Sequence, residues 1–311
     1  MTSRPHPADQ PPTEQQKRLT ARDFNPEVLR LFDRYVHGLL DRRGFIDAAA
    51  RYTAGVAGAA ALLEALNPNF ALAQQVAPDD VRVRSDRVEF VSPQGNGKLR
   101  ALLVRPNGAT GKLPLVLVVH ENRGLNPHIE DIARRLAVAG FIAMAPDALG
   151  PLGGYPGDED KARALFATLD PAKAREDFVS AAEHLTALPE GNGRLGVVGF
   201  CYGGSIANLL ATRLPALRAA VPFYGAAPPL DQVAGIRAEV QLHFASNDER
   251  INAGWPPYEA ALKAAGVRYE GFVYPGTEHG FNNNTTPRYD SAAAALAWQR
   301  TLALFRRTLA G

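Results

Sequence analysis

Apolar and polar positions recur along this chain with two different periods. Over 25–40, Val28, Leu29, Leu31, Phe32, Tyr35, Val36, Leu39 and Leu40 fall at helical spacing with Pro26 placed for a first turn, which predicts a short amphipathic helix. From residue 78 onward the pattern changes to strands and helices by turns. β-rich runs at 81–91 and 99–104 flank Ser92-Pro93-Gln94-Gly95-Asn96-Gly97, a hairpin signal with its turn residues in place. Residues 113–120 read Leu-Pro-Leu-Val-Leu-Val-Val-His, the nearly continuous apolar run of a strand buried on both faces of a parallel sheet. Further strands are expected at 141–145, 195–200, 219–224, 240–245 and 268–274, with helices at 129–139, 171–188, 205–213, 257–265 and 289–309. Such alternation implies an α/β fold, a mostly parallel twisted sheet of about eight strands with helices on both faces.

The first 77 residues form a different unit. Residues 1–20 carry Pro5, Pro7, Pro11 and Pro12 among polar side chains, too few apolar groups to offset ordering entropy, and read as a disordered tail. Arg42-Arg43, the uncharged Ala/Gly-rich stretch 52–63 and the small residues up to Ala73 resemble a twin-arginine export signal, cleaved after Ala73. The alternative is a helix lying on the domain, since Asp47 and Arg51 interrupt the start of the apolar segment and Glu64 follows it. The chain therefore divides into an N-terminal extension, 1–77, and a catalytic domain, 78–311. An exported or periplasmic location and a cytoplasmic one both stay open. No stretch reaches the ~18 uncharged apolar residues of a membrane span.

Composition narrows the function. The 311 residues are 46% hydrophobic and 21% charged, with 34 Lys+Arg against 32 Asp+Glu, a balance that gives no reason to expect a nucleic-acid partner. The single cysteine, Cys201, excludes an intrachain disulfide and a multi-cysteine zinc site. Neither a nucleotide-binding glycine loop nor a His-Glu-x-x-His register is present, so no cofactor or metal is expected.

Chemistry concentrates at Gly199-Phe200-Cys201-Tyr202-Gly203, between an expected strand and an expected helix. A nucleophile at the centre of Gly-x-Nuc-x-Gly needs small neighbours because the turn is strained and the chain passes close to the flanking elements. A helix N-terminus also favours thiolate over thiol. A thiol nucleophile needs a base, and the base needs an acceptor to fix its tautomer. His279, in a glycine-flanked loop between the last strand and the last helix, is the candidate base. Asp248, just past the end of the preceding strand, is the candidate acid, and the order nucleophile, acid, histidine is that of an α/β-hydrolase. His37, His184 and His243 fall on expected helices or a strand, where core or surface roles are expected.

With these motifs in hand, the chain from about residue 81 to its end resembles the dienelactone hydrolase (carboxymethylenebutenolidase) family of α/β-hydrolases. The resemblance rests on Gly199 to Gly204, His120-Glu121, Ala145-Pro146-Asp147 and Gly276 to Phe281. It implies a Cys201, Asp248 and His279 triad, oxyanion donors in the backbone amides of Asn122 and Tyr202, and Glu121 beside the thiol. A carboxylate ending an apolar strand is costly unless paired or functional, and desolvation raises its pKa toward that of a thiol. The resemblance further implies that Glu121 bonds Cys201 at rest and takes its proton when substrate arrives. The family's two carboxylate-binding arginines are replaced by Pro151 and Asn283, so Arg123 and Arg288 are the candidates to substitute, with Tyr155 and Trp255 as candidate pocket residues. The expected reaction is hydrolysis of a small ester or lactone. A thioesterase, a non-catalytic small-molecule binding protein on the same scaffold and an intermolecular thiol redox function are the alternatives.

Overall fold

The computed structural model describes residues 18–310, so the tail expected over 1–20 lies outside the described residues except for its last three. Helices α1 (Pro26–Val36), α2 (Arg42–Ala49), α3 (Gly55–Leu66) and α4 (Phe70–Ala73) make up the N-terminal unit. Asn25 caps α1 by accepting from the Glu27 amide, and Asp41 caps α2 through the Gly44 amide. The apolar face of α1 is buried against the next helices in a small core of Phe32, Tyr35, Phe45, Ala59, Leu63 and Leu66. Complete burial of side chains such as Phe45 and Leu63 contributes about 1.5–3 kcal/mol each. The arginine pair opens α2, and Arg42 lies 3.1 Å from Glu64 and 3.2 Å from Asp160, so it ties this unit to the rest of the chain.

Eight strands follow: β1 (Val83–Ser92), β2 (Gly97–Pro106), β3 (Leu113–Val119), β4 (Ile142–Pro146), β5 (Gly191–Phe200), β6 (Ala219–Phe223), β7 (Glu239–Ala245) and β8 (Tyr269–Tyr274). They form one sheet in the order β1-β2-β4-β3-β5-β6-β7-β8, antiparallel at β1/β2 and β2/β4 and parallel elsewhere. This is the mostly parallel sheet of about eight strands expected from the apolar runs, in the α/β-hydrolase form that the family resemblance implies. Helices α5 (Pro127–Val138), α6 (Glu159–Phe166), α7 (Pro171–Thr186), α8 (Tyr202–Arg213), α9 (Glu249–Asn252), α10 (Trp255–Ala264) and α11 (Ser291–Leu309) complete the domain. Alternate residues of β3 serve opposite cores: Leu115, Leu117 and Val119 meet Phe178 and Leu210, while Val116 and Val118 meet Ile129 and Phe305. Helix α6 was not expected. Its Asp158 cap accepts from the Lys161 amide, and only Ala162 is buried, so it carries little hydrophobic pattern.

The parallel register gathers the strand ends at one edge. Cys201 follows β5 directly, Glu121 and Asp248 lie just past the ends of β3 and β7, and His279 follows β8 after a short loop. That is the edge where open α/β sheets bind ligands.

Candidate active site

Cys201 occupies the single residue between β5 and α8, with φ 55° and ψ −113°. For a non-glycine residue this left-handed conformation costs of order 1–3 kcal/mol and persists only where its surroundings enforce it. The glycines on either side show the enforcement. A Cβ on Gly199 would sit 1.9 Å from the Gly203 carbonyl oxygen, and one on Gly203 would sit 2.2 Å from that of Val119. The Cys201 amide donates to the Phe223 carbonyl at 3.1 Å, which fixes the bend against β6. The half-buried sulfur thus stands at the N-terminal turn of α8, whose first amides have no partner within the helix.

His279 and Asp248 meet as the sequence order implied. Nδ1 of His279 lies 2.5 Å from Oδ2 of Asp248, and both side chains are buried. Nε2 of His279 is buried without a hydrogen-bond partner. It is free to act on the thiol or on substrate. Burial alone would depress this imidazole, but the Cys201 thiolate and the Asp248 bond outweigh it and hold the pKa up to about 10. Burial pushes the Cys201 thiol up, yet His279 first and His37 second bring it well below its ordinary value. Both imidazoles thus favour thiolate over thiol at this sulfur.

His37, assigned to a core or surface role from its helical context, is instead a neighbour of the nucleophile. Its Nε2 lies 3.4 Å from Sγ of Cys201 and its ring meets that of His279 edge-on, with centroids 4.7 Å apart. One ring nitrogen of each imidazole and the sulfur fall within 4.8 Å of one another. The pattern missed this because 164 residues separate His37 from Cys201. A local signal existed: Asp33 and His37 are one helical turn apart at the end of α1, spaced to face each other.

Glu121 also departs from expectation. Its Oε2 accepts from Nδ2 of Asn283 at 2.9 Å, while the thiol turns to His37. Burial first, and the nearby thiolate second, push the Glu121 carboxyl up to about 7. Asn283, at one of the family's arginine positions, therefore serves the glutamate.

Asn122, Cys201 and Tyr202 line one cavity together. The Asn122 side chain is engaged elsewhere, donating to the Val36 carbonyl at 2.8 Å. Arg123 and Arg288 both line the space above the sulfur; Arg123 is bonded to its neighbours, whereas Nε and Nη1 of Arg288 are buried without a hydrogen-bond partner. Arg123 donates to the Asn122 side chain at 2.6 Å and lies 3.4 Å from Glu159. Arg288 lies 3.6 Å from Asp33 and stacks over Phe32. Tyr155 acts one step back, donating to Glu159 at 2.8 Å. Trp255 packs among Phe244, Tyr258 and Tyr269 and lines neither cavity at the thiol, so it belongs to the packing of α10. Tyr224, not singled out from the sequence, places its ring 4.9 Å from that of His279.

The family model described as "Dienelactone hydrolase family" matches residues 99–309, which include Glu121, Cys201, Asp248 and His279. The chain belongs to the dienelactone hydrolase family. It is an ester hydrolase of that type. A second family model, described as YqhI-like, matches residues 16–54, which include α1 and α2. Among similar proteins is a "Putative carboxymethylenebutenolidase" of Escherichia coli K12, 33% identical over 246 residues, covering 74% of this chain and 89% of the relative. Another is a "Probable 2-oxo-3-(5-oxofuran-2-ylidene)propanoate lactonase" of Bradyrhizobium, 34% identical over 239 residues, covering 72% and 96%. The crystal structure titled a putative dienelactone hydrolase from Klebsiella pneumoniae is similar at a TM-score of 0.64 and 30% identity, covering 72% of this chain and 99% of that one. Of the two positions at which this dienelactone hydrolase family member departs from the family pattern, Asn283 bonds Glu121, while Pro151 is exposed and lines neither cavity at the thiol.

Proposed function

We propose that this chain hydrolyses a small ester or lactone through a cysteinyl acyl-enzyme, with Cys201 as nucleophile, His279 as acid and base, and Asp248 as its orienting acid. The observation that carries the reading is the Asp248–His279 pair, 2.5 Å apart, presenting an unpartnered Nε2 beside a sulfur held at a left-handed bend.

The thiolate attacks the carbonyl carbon, and the resulting oxyanion lies between the Asn122 and Tyr202 amides. Collapse expels an alkoxide that takes the proton from Nε2 of His279. A water then gives its proton to the same nitrogen and attacks the thioester, releasing the acid and restoring the thiol. Glu121, with a pKa near 7, sets the charge beside the sulfur: its neutral form accommodates a thiolate and its ionised form opposes one. The lactonase named among the relatives makes a five-membered lactone a reasonable first substrate.

A panel of lactones, aryl esters and thioesters run against wild type and Cys201→Ala tests the reading. Turnover of at least one class, lost in Cys201→Ala, supports it, and turnover surviving the substitution overturns it.

A further inference from the structure

The Asp248–His279 arrangement at the sulfur has a counterpart on its other side. At the C-terminal end of α1, Nδ1 of His37 lies 2.7 Å from the Asp33 carbonyl oxygen and 3.3 Å from its carboxylate. A proton held there leaves the lone pair of Nε2 facing Sγ of Cys201 at 3.4 Å and an N–H of Arg250 at 3.0 Å. The single lone pair of Nε2 is thus within reach of both the thiol and the Arg250 N–H, and it takes the thiol's proton as Arg250 gives way.

The ring is firmly placed. The last carbonyls of α1 are held by the catalytic domain: Val36 accepts from Asn122 and Arg123, and Tyr35 accepts from Arg163 at 2.6 Å. The Tyr35 hydroxyl donates to Asp160, and Phe32 and Tyr35 anchor the helix in its own core. The ring also leaves room for substrate. On the side of Glu121 and His279 the space is about 40 Å³, little more than water needs. On the side of Tyr202, Tyr224 and Arg250 a chamber of about 300 Å³ reaches the same sulfur, the lower end of ligand-site sizes. A small lactone can approach Cys201 with His37 in place.

We propose that His37, supplied by the N-terminal unit and oriented by Asp33, is a further catalytic residue: its Nε2 takes the Cys201 proton in the resting enzyme. The S–H bond breaks and an Nε2–H bond forms, giving a thiolate–imidazolium pair before substrate arrives. The proton returns to sulfur after deacylation. His279 holds its own proton on Nε2 at rest, gives it to the leaving alkoxide and regains one from the attacking water. Taking the Cys201 proton is the duty the resemblance had assigned to Glu121, and the proposal rests on the cysteine-nucleophile reading. The charged and titratable groups around the ring are Asp33 on its own helix, Cys201, His279, Glu121, Arg163, Arg250 and, through Asp33, Arg288. The attraction of the Cys201 thiolate and the Asp33 bond raise the His37 pKa against the opposing effect of burial.

Because Cys201 is the single cysteine, alkylation of the whole chain reports on it alone. The experiment is the rate of iodoacetamide alkylation against pH, with kcat/KM for a small aryl ester measured in parallel. It uses the full chain as wild type, His37→Gln, Asp33→Asn and Glu121→Gln, with folding checked by circular dichroism. His37→Gln is expected to move the alkylation midpoint up by a pH unit or more and to lower kcat/KM at least tenfold. Asp33→Asn moves both in the same direction by less, and Glu121→Gln moves the midpoint down. An unchanged midpoint in His37→Gln, or faster hydrolysis of the ester, overturns the proposal and makes the ring a plug. Should His37→Gln not fold, Asp33→Asn decides by the same criterion. Hydrolysis that survives Cys201→Ala overturns the nucleophile reading instead, a separate result.

Discussion

Nδ1 of His279 and Oδ2 of Asp248 stand 2.5 Å apart inside the protein, joining a loop after β8 to the end of β7. The bond fixes the tautomer that leaves Nε2 available to act at the sulfur. Asp248→Asn keeps the side-chain shape but presents its amide to the ring, favouring the wrong tautomer. Steady-state hydrolysis of an activated ester should fall by about 10³–10⁴ in kcat with the fold retained, as the equivalent change does in serine triads. A loss below tenfold would remove Asp248 from the mechanism.

The bend at Cys201 depends on two missing side chains. Gly203→Ala places a Cβ where the Val119 carbonyl oxygen already stands, 2.2 Å away, so backbone must move. Urea denaturation should show a loss of about 2–4 kcal/mol, and alkylation of Cys201 should lose its advantage at neutral pH. Equal stability in the variant would show that the turn is not under this constraint.

Glu121 gives a pH dependence with a definite sign. Its folded pKa is raised from 4.5 to about 7, so between those values the folded state binds more protons than the unfolded one. Its contribution is fully present below pH 4.5 and is lost as pH rises through 7. Glu121→Gln, which can still accept from Asn283, should be more stable than wild type at pH 8 by up to about 3 kcal/mol and equal to it at pH 4. Thermal melts at both pH values check this. A variant less stable at pH 8 would mean that the carboxylate is well solvated or paired.

The N-terminal helices carry a residue that the site uses, which bears on how the chain is processed. If His37 serves the thiol, the working protein keeps 26–73, including the stretch that resembles an export signal. N-terminal sequencing or intact mass of protein recovered from its host should find this segment present. A mature chain beginning after Ala73 with full activity would contradict the role given to His37.

Much of this architecture was legible because burial on both faces leaves an unmistakable pattern. The apolar run 113–120 has the pattern of a central strand, and the glycines around Cys201 marked a bend where a nucleophile fits. Asp248 and His279 followed from chain order. His37 was hidden because an amphipathic helix explains a histidine at its end without reference to anything distant, and only docking of α1 brings the ring to the sulfur. Helix α6 was missed for the opposite reason, since its polar sequence hides its caps. The partner of Glu121 was unreadable because Asn283 sits 162 residues away. Trp255 illustrates the reverse error, an aromatic near a motif that belongs to core packing.

The central claim is a covalent intermediate on one sulfur, and intact-protein mass spectrometry tests it most directly. Mixed with an activated ester and quenched early, the wild-type chain should gain the mass of one acyl group, mapped to the peptide containing Cys201. His279→Gln should accumulate or fail to form this adduct, and Cys201→Ala should never show it. Ester turnover by Cys201→Ala at the wild-type rate, with no acyl adduct on either protein, would contradict the account.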